Sequence, residues 1–264
     1  MLSERDLRVL GRLALLAACF ASFGAHAGER RITCLGRLEP GLGIVHIASP
    51  SDGGGVIATL DVSEGDWVEP AQILATLDEH ALRGADVLRL EAELANAQNE
   101  AERARRLSTN SVTSASHLDT AEVALRIARA NLAAGKARLE LTRIRAPIAG
   151  RVLDIHTRPG ERVGPAGILE IGDTKHMVAV AEVYETDVSG IAEGQRALIR
   201  SSAFAQPIAG VVSTVGLKVD RADALSTDPI AKTDARVVEV RIALETSDAV
   251  SGLTNLQVEI EIQP

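Results

Sequence analysis

The stretch GGGVIATLDVSEGDWVEPAQILATLD, residues 53–78, returns without a gap as IAGRVLDIHTRPGERVGPAGILEIGD at residues 148–173. Constant spacing pairs Gly55 with Gly150, Gly65 with Gly160, Val68 with Val163, Pro70 with Pro165, Ile73 with Ile168 and Asp78 with Asp173. An internal repeat of this kind is the first thing to settle, because it fixes which distant segments are structural equivalents. Each copy reads as short β-strands: an apolar pair, alternation into Leu60 or Ile155, a turn at Glu64-Gly65-Asp66 or Pro159-Gly160-Glu161, then an Ile-Leu strand. Gly55, Gly65, Gly150 and Gly160 are assigned to turns, since glycine reaches positive φ without a Cβ penalty. Neither copy is long enough to bury a core alone. The two are therefore expected to pack on each other as one small β-unit, from which the intervening chain must leave and to which it must return.

That intervening chain, residues 79–142, is rich in Ala, Glu, Arg and Leu and free of proline. Leu118, Ala121, Leu125, Ala128, Leu132, Gly135, Leu139 and Thr142 follow a three-four spacing, as do Val87, Leu90, Leu94, Ala97, Ala101 and Ala104. Between them the polar run from Ser108 to Ser116 suits a turn that caps a returning helix. The spacing predicts an antiparallel helical hairpin of roughly 25 residues per arm, on the order of 35–40 Å long. Its apolar stripe is too narrow to cover a sheet, so the pair is expected to project.

Beyond His176 the pattern changes to short alternating segments, Met177 to Val183, Arg196 to Arg200, Ile208 to Val215, Val237 to Leu244 and Leu256 to Ile262. Strands at such spacing predict a small barrel or sandwich. The stretch from Lys218 to Asp234 has no periodicity and reads as a mobile loop.

At the start, Arg5, Arg8 and Arg12 precede an apolar run from Leu13 to Phe23, with Ala25-His26-Ala27 as a small-x-small site. Residues 1–27 read as a signal peptide or N-terminal membrane anchor. Leu16-Ala17-Ala18-Cys19 also fits a lipobox, so cleavage, retention and lipidation at Cys19 stay open. Cys34, the second of two cysteines, reads as a small packed residue rather than a reactive thiol.

Several function classes find no support. A formal net charge of −8 and the lack of a Lys/Arg-rich run argue against nucleic acid as a partner. The six histidines form no i, i+4 pair and have no Cys partner, so no metal site is expected. Gly53-Gly54-Gly55 lacks the Gly-Lys-Ser/Thr of a phosphate loop, no Gly-x-Ser-x-Gly elbow occurs, and the carboxylates decorate helix faces and turns. An enzyme is not expected.

Split halves around a helical hairpin, followed by β-barrel strands in an exported chain, resemble the periplasmic adaptor (membrane fusion protein, HlyD-like) family of tripartite efflux pumps. The resemblance implies a mostly β chain with an α-helical coiled-coil hairpin: a lipoyl-like barrel-sandwich hybrid, a β-barrel and a membrane-proximal β domain. It divides the chain into a membrane-proximal strand segment (28–46), a first lipoyl-like half (47–78), the hairpin (79–142), a second lipoyl-like half (143–174), a barrel domain (175–217), and a loop with further barrel and membrane-proximal strands (218–264). Gly36-Arg37-Leu38-Glu39-Pro40 looks most like DevB-type adaptors of ABC exporters. Adaptors that engage TolC-type channels share an Arg, Leu and Ser at the spacing of Arg103, Leu107 and Ser114, where the Arg offers several donors and the Leu an apolar anchor. The implied partners are an inner-membrane ABC exporter (or an RND pump), a TolC-type outer-membrane channel and copies of the chain itself, in the family's manner a hexamer, at the inner membrane of a Gram-negative periplasm. A lipoyl or biotinyl carrier is the alternative of another class. The join that would bear its modified Lys is replaced here by the helical insertion, so no cofactor is expected.

Overall fold

The computed structural model describes residues 31–50, 55–109, 115–221 and 236–263. The strands are β1 (Ile32–Pro40), β2 (Ile44–Ile47), β3 (Ile57–Leu60), β4 (Trp67–Val68) and β5 (Ile73–Leu77). Two helices follow, α1 (His80–Thr109) and α2 (Ala115–Glu140). Then come β6 (Arg143–Arg145), β7 (Gly150–Ile155), β8 (Leu169–Gly172), β9 (Met177–Tyr184), β10 (Arg196–Arg200), β11 (Ile208–Arg221), β12 (Arg236–Leu244) and β13 (Gln257–Ile262). These divide into two compact units, one of residues 38–178 and 246–256, the other of the remaining described chain.

In the first unit the repeated segments exchange strands. One sheet runs β2-β8-β7-β4 and the other β3-β5-β6, so β4 of the first copy pairs with β7 of the second, and β5 of the first pairs with β6, which leads into the second. The exchange obeys the repeat: Gly65 N donates to Val152 O at 2.9 Å and Gly160 N to Ile57 O at 2.8 Å, while Val152 N donates to Asp66 O and Ile57 N to Glu161 O. Ile57, Val68, Leu74 and Leu77 share one core with Val152, Ile168, Leu169 and Ile171. Each of these aliphatic side chains contributes about 1.5–3 kcal/mol by burial, and removing either copy would expose the other's half.

The four repeat glycines separate into two kinds. Gly65 and Gly160 turn the chain at φ of +89° and +88°. Gly55 and Gly150 are not turn residues: Gly150 lies within β7, where a Cβ would stand 2.7 Å from Ile171 Cγ2 and 2.8 Å from Gly172 O, and one on Gly55 would meet the Leu77 methyls at 3.0 and 3.2 Å. Close packing, not backbone conformation, requires glycine there.

The second unit centres on a closed barrel in the order β1-β13-β10-β11-β12-β9. Closure leaves no free edge. Val180, Val183, Ile199, Val240, Ile242, Ile260 and Ile262 of its strands are all buried, so β-branched side chains supply the core that the scarce aromatics do not. At Gly36 a Cβ would stand 2.4 Å from Val180 O and 2.6 Å from Ile260 Cδ1, while Arg37 reaches Glu239 at 2.8 Å and Glu182 at 3.4 Å. Two expectations change. Strand β1, from the segment read as membrane-proximal, pairs with β13 from Ile32↔Ile262 to Arg37↔Gln257 and closes the barrel, to which residues 218–264 were already expected to give strands. Lys218–Arg221, read as the start of a loop, continues β11, because Val219, Asp220 and Arg221 pair with Val238, Val237 and Arg236 after a register shift.

Candidate functional site

The helical hairpin is rooted in one strand pair. β5 runs into α1 and α2 runs into β6, and these strands are hydrogen-bonded neighbours, so the arms start side by side. At the root Thr142 Oγ1 donates to Leu139 O at 2.6 Å, which leaves its lone pair for His80 Nδ1, also at 2.6 Å. Nδ1 therefore carries the imidazole proton and Nε2 faces the Arg143 guanidinium at 3.4 Å. Leu77 N closes the root by donating to Thr142 O at 2.9 Å.

From there α1 packs on α2, and neither lies along a sheet. Val87, Leu90, Ala101 and Ala104 of α1 and Ala121 and Leu125 of α2 are buried in the seam between the arms. Complementary sizes set the spacing: Gly135 receives Leu90, whose Cδ1 lies 2.5 Å from where a Cβ would be. Lys136–Glu91 at 2.9 Å and Arg105–Glu122 at 3.1 Å tie the arms across the seam. With 30 and 26 residues, the arms span about 45 and 39 Å at 1.5 Å per residue. The arms exceed the sequence expectation, in part because Ser108 and Thr109, read as turn, belong to α1, and Ala115 and Ser116 to α2.

Towards the apex, Arg103 and Leu107 sit four residues apart, hence on one face of α1. Leu107 is 44% exposed although apolar. The Arg103 side chain is also largely exposed and holds Glu100 through Nη2–Oε2 at 2.6 Å, an ion pair of little net energy that leaves most of its donors outward. Ser114, the third residue of the triplet, lies outside the described residues. Val123 and Ile127 form another exposed apolar i, i+4 pair, on α2.

A second cluster escaped the sequence reading. His46 on β2, Glu170 on β8 and His156 just after β7 meet on one face of three adjacent strands, with a nitrogen from each imidazole and a carboxylate oxygen within 4.8 Å of one another. The signal was a register rather than a motif: His46 stands directly opposite Glu170, a pairing between strands far apart in sequence. No i, i+4 search finds it. Among the described residues no helix is long and apolar enough to cross a membrane.

Comparison with known proteins places this geometry. Residues 81–145 match the family model described as RND MFP, alpha-helical hairpin domain. The macrolide export protein MacA of Escherichia coli O157:H7 is 32% identical over 174 residues, 54% of this chain and 47% of that protein. YdhJ of Escherichia coli (strain K12) is 29% identical over 176 residues, 61% of each chain. The chain thus spans about half to three fifths of the length of these relatives. Among solved structures, a MacA–MexA chimera containing the Pseudomonas aeruginosa MexA α-hairpin domain superposes with a TM-score of 0.74 at 22% identity, covering 89% of this chain and 82% of that one. The membrane fusion protein Spr0693 of Streptococcus pneumoniae R6 gives 0.67 at 18% identity over 88% of this chain and 98% of that one. Residues 81–145 thus carry the helical hairpin domain of membrane fusion proteins, and the described chain shares the fold of these adaptor structures.

Proposed function

We propose that this chain links an inner-membrane exporter to a TolC-type outer-membrane channel in the Gram-negative periplasm, without enzymatic activity. The observation that carries the reading is the hairpin: two arms packed only on each other, with exposed Arg103 and Leu107 on one face close to the apex. A slender pair that buries little of itself is useful for reaching a partner, and a guanidinium beside an apolar side chain suits carbonyls and a shallow pocket on helical ends. Ser114 joins these two in the proposed docking set. Copies of the chain assemble side by side, as a hexamer in the family's manner, and the exposed Val123 and Ile127 pair offers a surface for that contact.

An ABC exporter is the proposed inner-membrane partner, on the strength of the Gly36-Arg37-Leu38-Glu39-Pro40 opening. An RND pump is the second reading, favoured by the description of the matching hairpin model. Retained as an anchor or lipidated at Cys19, the N-terminal segment would hold the adaptor at the inner membrane; cleaved, it would leave that to the exporter.

A photo-crosslinking residue placed at Leu107 in cells tests the docking role. The adduct should contain an outer-membrane channel protein, and Arg103→Asp should abolish it while leaving the far-ultraviolet circular dichroism unchanged. Adducts restricted to other copies of the chain, or a yield indifferent to Arg103→Asp, would remove the docking role. Copurification from solubilised membranes then separates the two partner classes by whether an ATPase subunit accompanies the chain.

A further inference from the structure

We infer that His46, His156 and Glu170 form a binding site for a divalent transition metal of the zinc class, on the open face of the β2-β8-β7-β4 sheet. Glu170 occupies the strand between the two histidine-bearing segments, and its Oε1 lies 3.2 Å from His46 Nδ1 and 3.0 Å from His156 Nε2. A tetrahedral zinc with bonds of about 2.0–2.1 Å separates its ligand atoms by about 3.3 Å. Two of the three separations are thus near a metal's spacing before any metal arrives, the two imidazole nitrogens lie within 4.8 Å, and rotation of the exposed His46 ring would complete the set.

A second observation points the same way. His156 turns Nε2 towards the cluster and Nδ1 towards Asp154, whose Oδ2 is 3.7 Å away. Asp154 is itself anchored, since Oδ1 accepts from Ile155 N at 2.7 Å. Zinc-bound histidines commonly direct their other nitrogen at a carboxylate, which fixes the ring and raises its basicity. Two imidazoles and one carboxylate are a borderline donor set, suited to zinc and to its late first-row neighbours rather than to magnesium or calcium. Side-chain exposures of 19% for Glu170 and 22% for His156 against 63% for His46 describe a site sheltered below and open above. Three protein ligands leave the fourth position to water or to a donor from outside the chain.

The test uses the full chain without a polyhistidine tag, stripped with chelator and titrated with Zn²⁺ against a chromophoric competitor. One equivalent should bind. His46→Ala, His156→Ala and Glu170→Ala should each weaken binding by at least about tenfold, and Asp154→Asn by a smaller factor. His176→Ala should change nothing, because that ring pairs with Asp173 elsewhere. His46 is mostly exposed, so its replacement probes ligation without opening the core. Co²⁺ in the wild type should give the intense visible bands of a four-coordinate site, a readout that needs no variant. Absence of stoichiometric uptake, or wild-type affinity in His46→Ala and Glu170→Ala, overturns the site. Neither outcome bears on channel docking, which uses none of these residues.

Discussion

The amide of Gly65 donates to the carbonyl of Val152 at 2.9 Å, so the turn of one repeat is closed by the strand of the other. Gly160 makes the equivalent bond to Ile57 at 2.8 Å. Both turns keep glycine because each carries a positive φ, +89° at Gly65 and +88° at Gly160.

Gly65→Ala and Gly160→Ala should each cost about 1–2 kcal/mol, through positive φ alone, since a Cβ at either site meets nothing within 4 Å. Gly150→Ala should cost more, about 3 kcal/mol, because its Cβ would press on the Gly172 backbone as well as on Ile171. Urea unfolding with an unchanged slope checks the order. A Gly150→Ala protein as stable as Gly65→Ala would mean that the strands there can move apart.

Along the hairpin, stability and docking should separate. Ala104 is fully buried in the seam, so Ala104→Leu overfills it and should destabilise the arm ends by about 1–3 kcal/mol. Leu107→Asp, at an exposed position, should stay within about 0.5 kcal/mol. Hydrogen exchange of the α1 and α2 amides reads the difference: faster towards the apex in Ala104→Leu, unchanged in Leu107→Asp, with the two-sheet core unaffected in both.

How much of this could be read from the chain depends on whether the information is local. The gapless repeat told that residues 53–78 and 148–173 are equivalent, and Gly65 and Gly160 adopt φ values one degree apart. The three-four spacing placed Ala101, Ala104, Ala121 and Leu125 in a seam, where they are buried. What escaped was pairing between distant strands. Spacing says nothing of β4 choosing β7, of β1 closing the barrel on β13, or of His46 facing Glu170. The extension of β11 was legible and was missed: Val215, Leu217 and Val219 alternate with Gly216, Lys218 and Asp220, and the strand pairs there with β12. Gly55 and Gly150 were misread as turns because close approach of a neighbouring strand leaves no mark in the sequence around them.

Cys34 should behave as an inert thiol while the barrel is folded. Its Sγ is buried beside Ile260 O at 3.8 Å, and burial, reinforced by the Glu182 charge, pushes its pKa from 9.0 to about 12. In a Cys19→Ser background at pH 8, the thiolate available to a disulfide reagent should be about a thousandfold scarcer than in the unfolded chain. Labelling should therefore follow unfolding. Because the folded pKa lies above the unfolded one, the contribution is complete below pH 9 and is lost as pH rises towards 12, a loss of up to about 4 kcal/mol. Cys34→Ala should flatten that alkaline decline, and rapid labelling of the native chain would contradict the burial.

Glu261 on β13 should give the barrel an acid sensitivity of opposite sign. Its carboxylate accepts from Arg200 Nη1 and Arg31 Nη1, each at 2.8 Å. The Arg200 hydrogen bond, with partial burial opposing and Arg31 assisting, holds its pKa below the ordinary 4.5. A depressed folded pKa means that the stabilisation is present at neutral pH and is lost as pH falls below 4.5 through the folded value. Glu261→Gln lacks the titrating group, so its urea midpoint should lie below that of the wild type at pH 7 and converge on it in acid. A gap that stays constant from pH 7 to pH 3 would show that packing, and not the two guanidinium groups, is what Glu261 contributes to the strand.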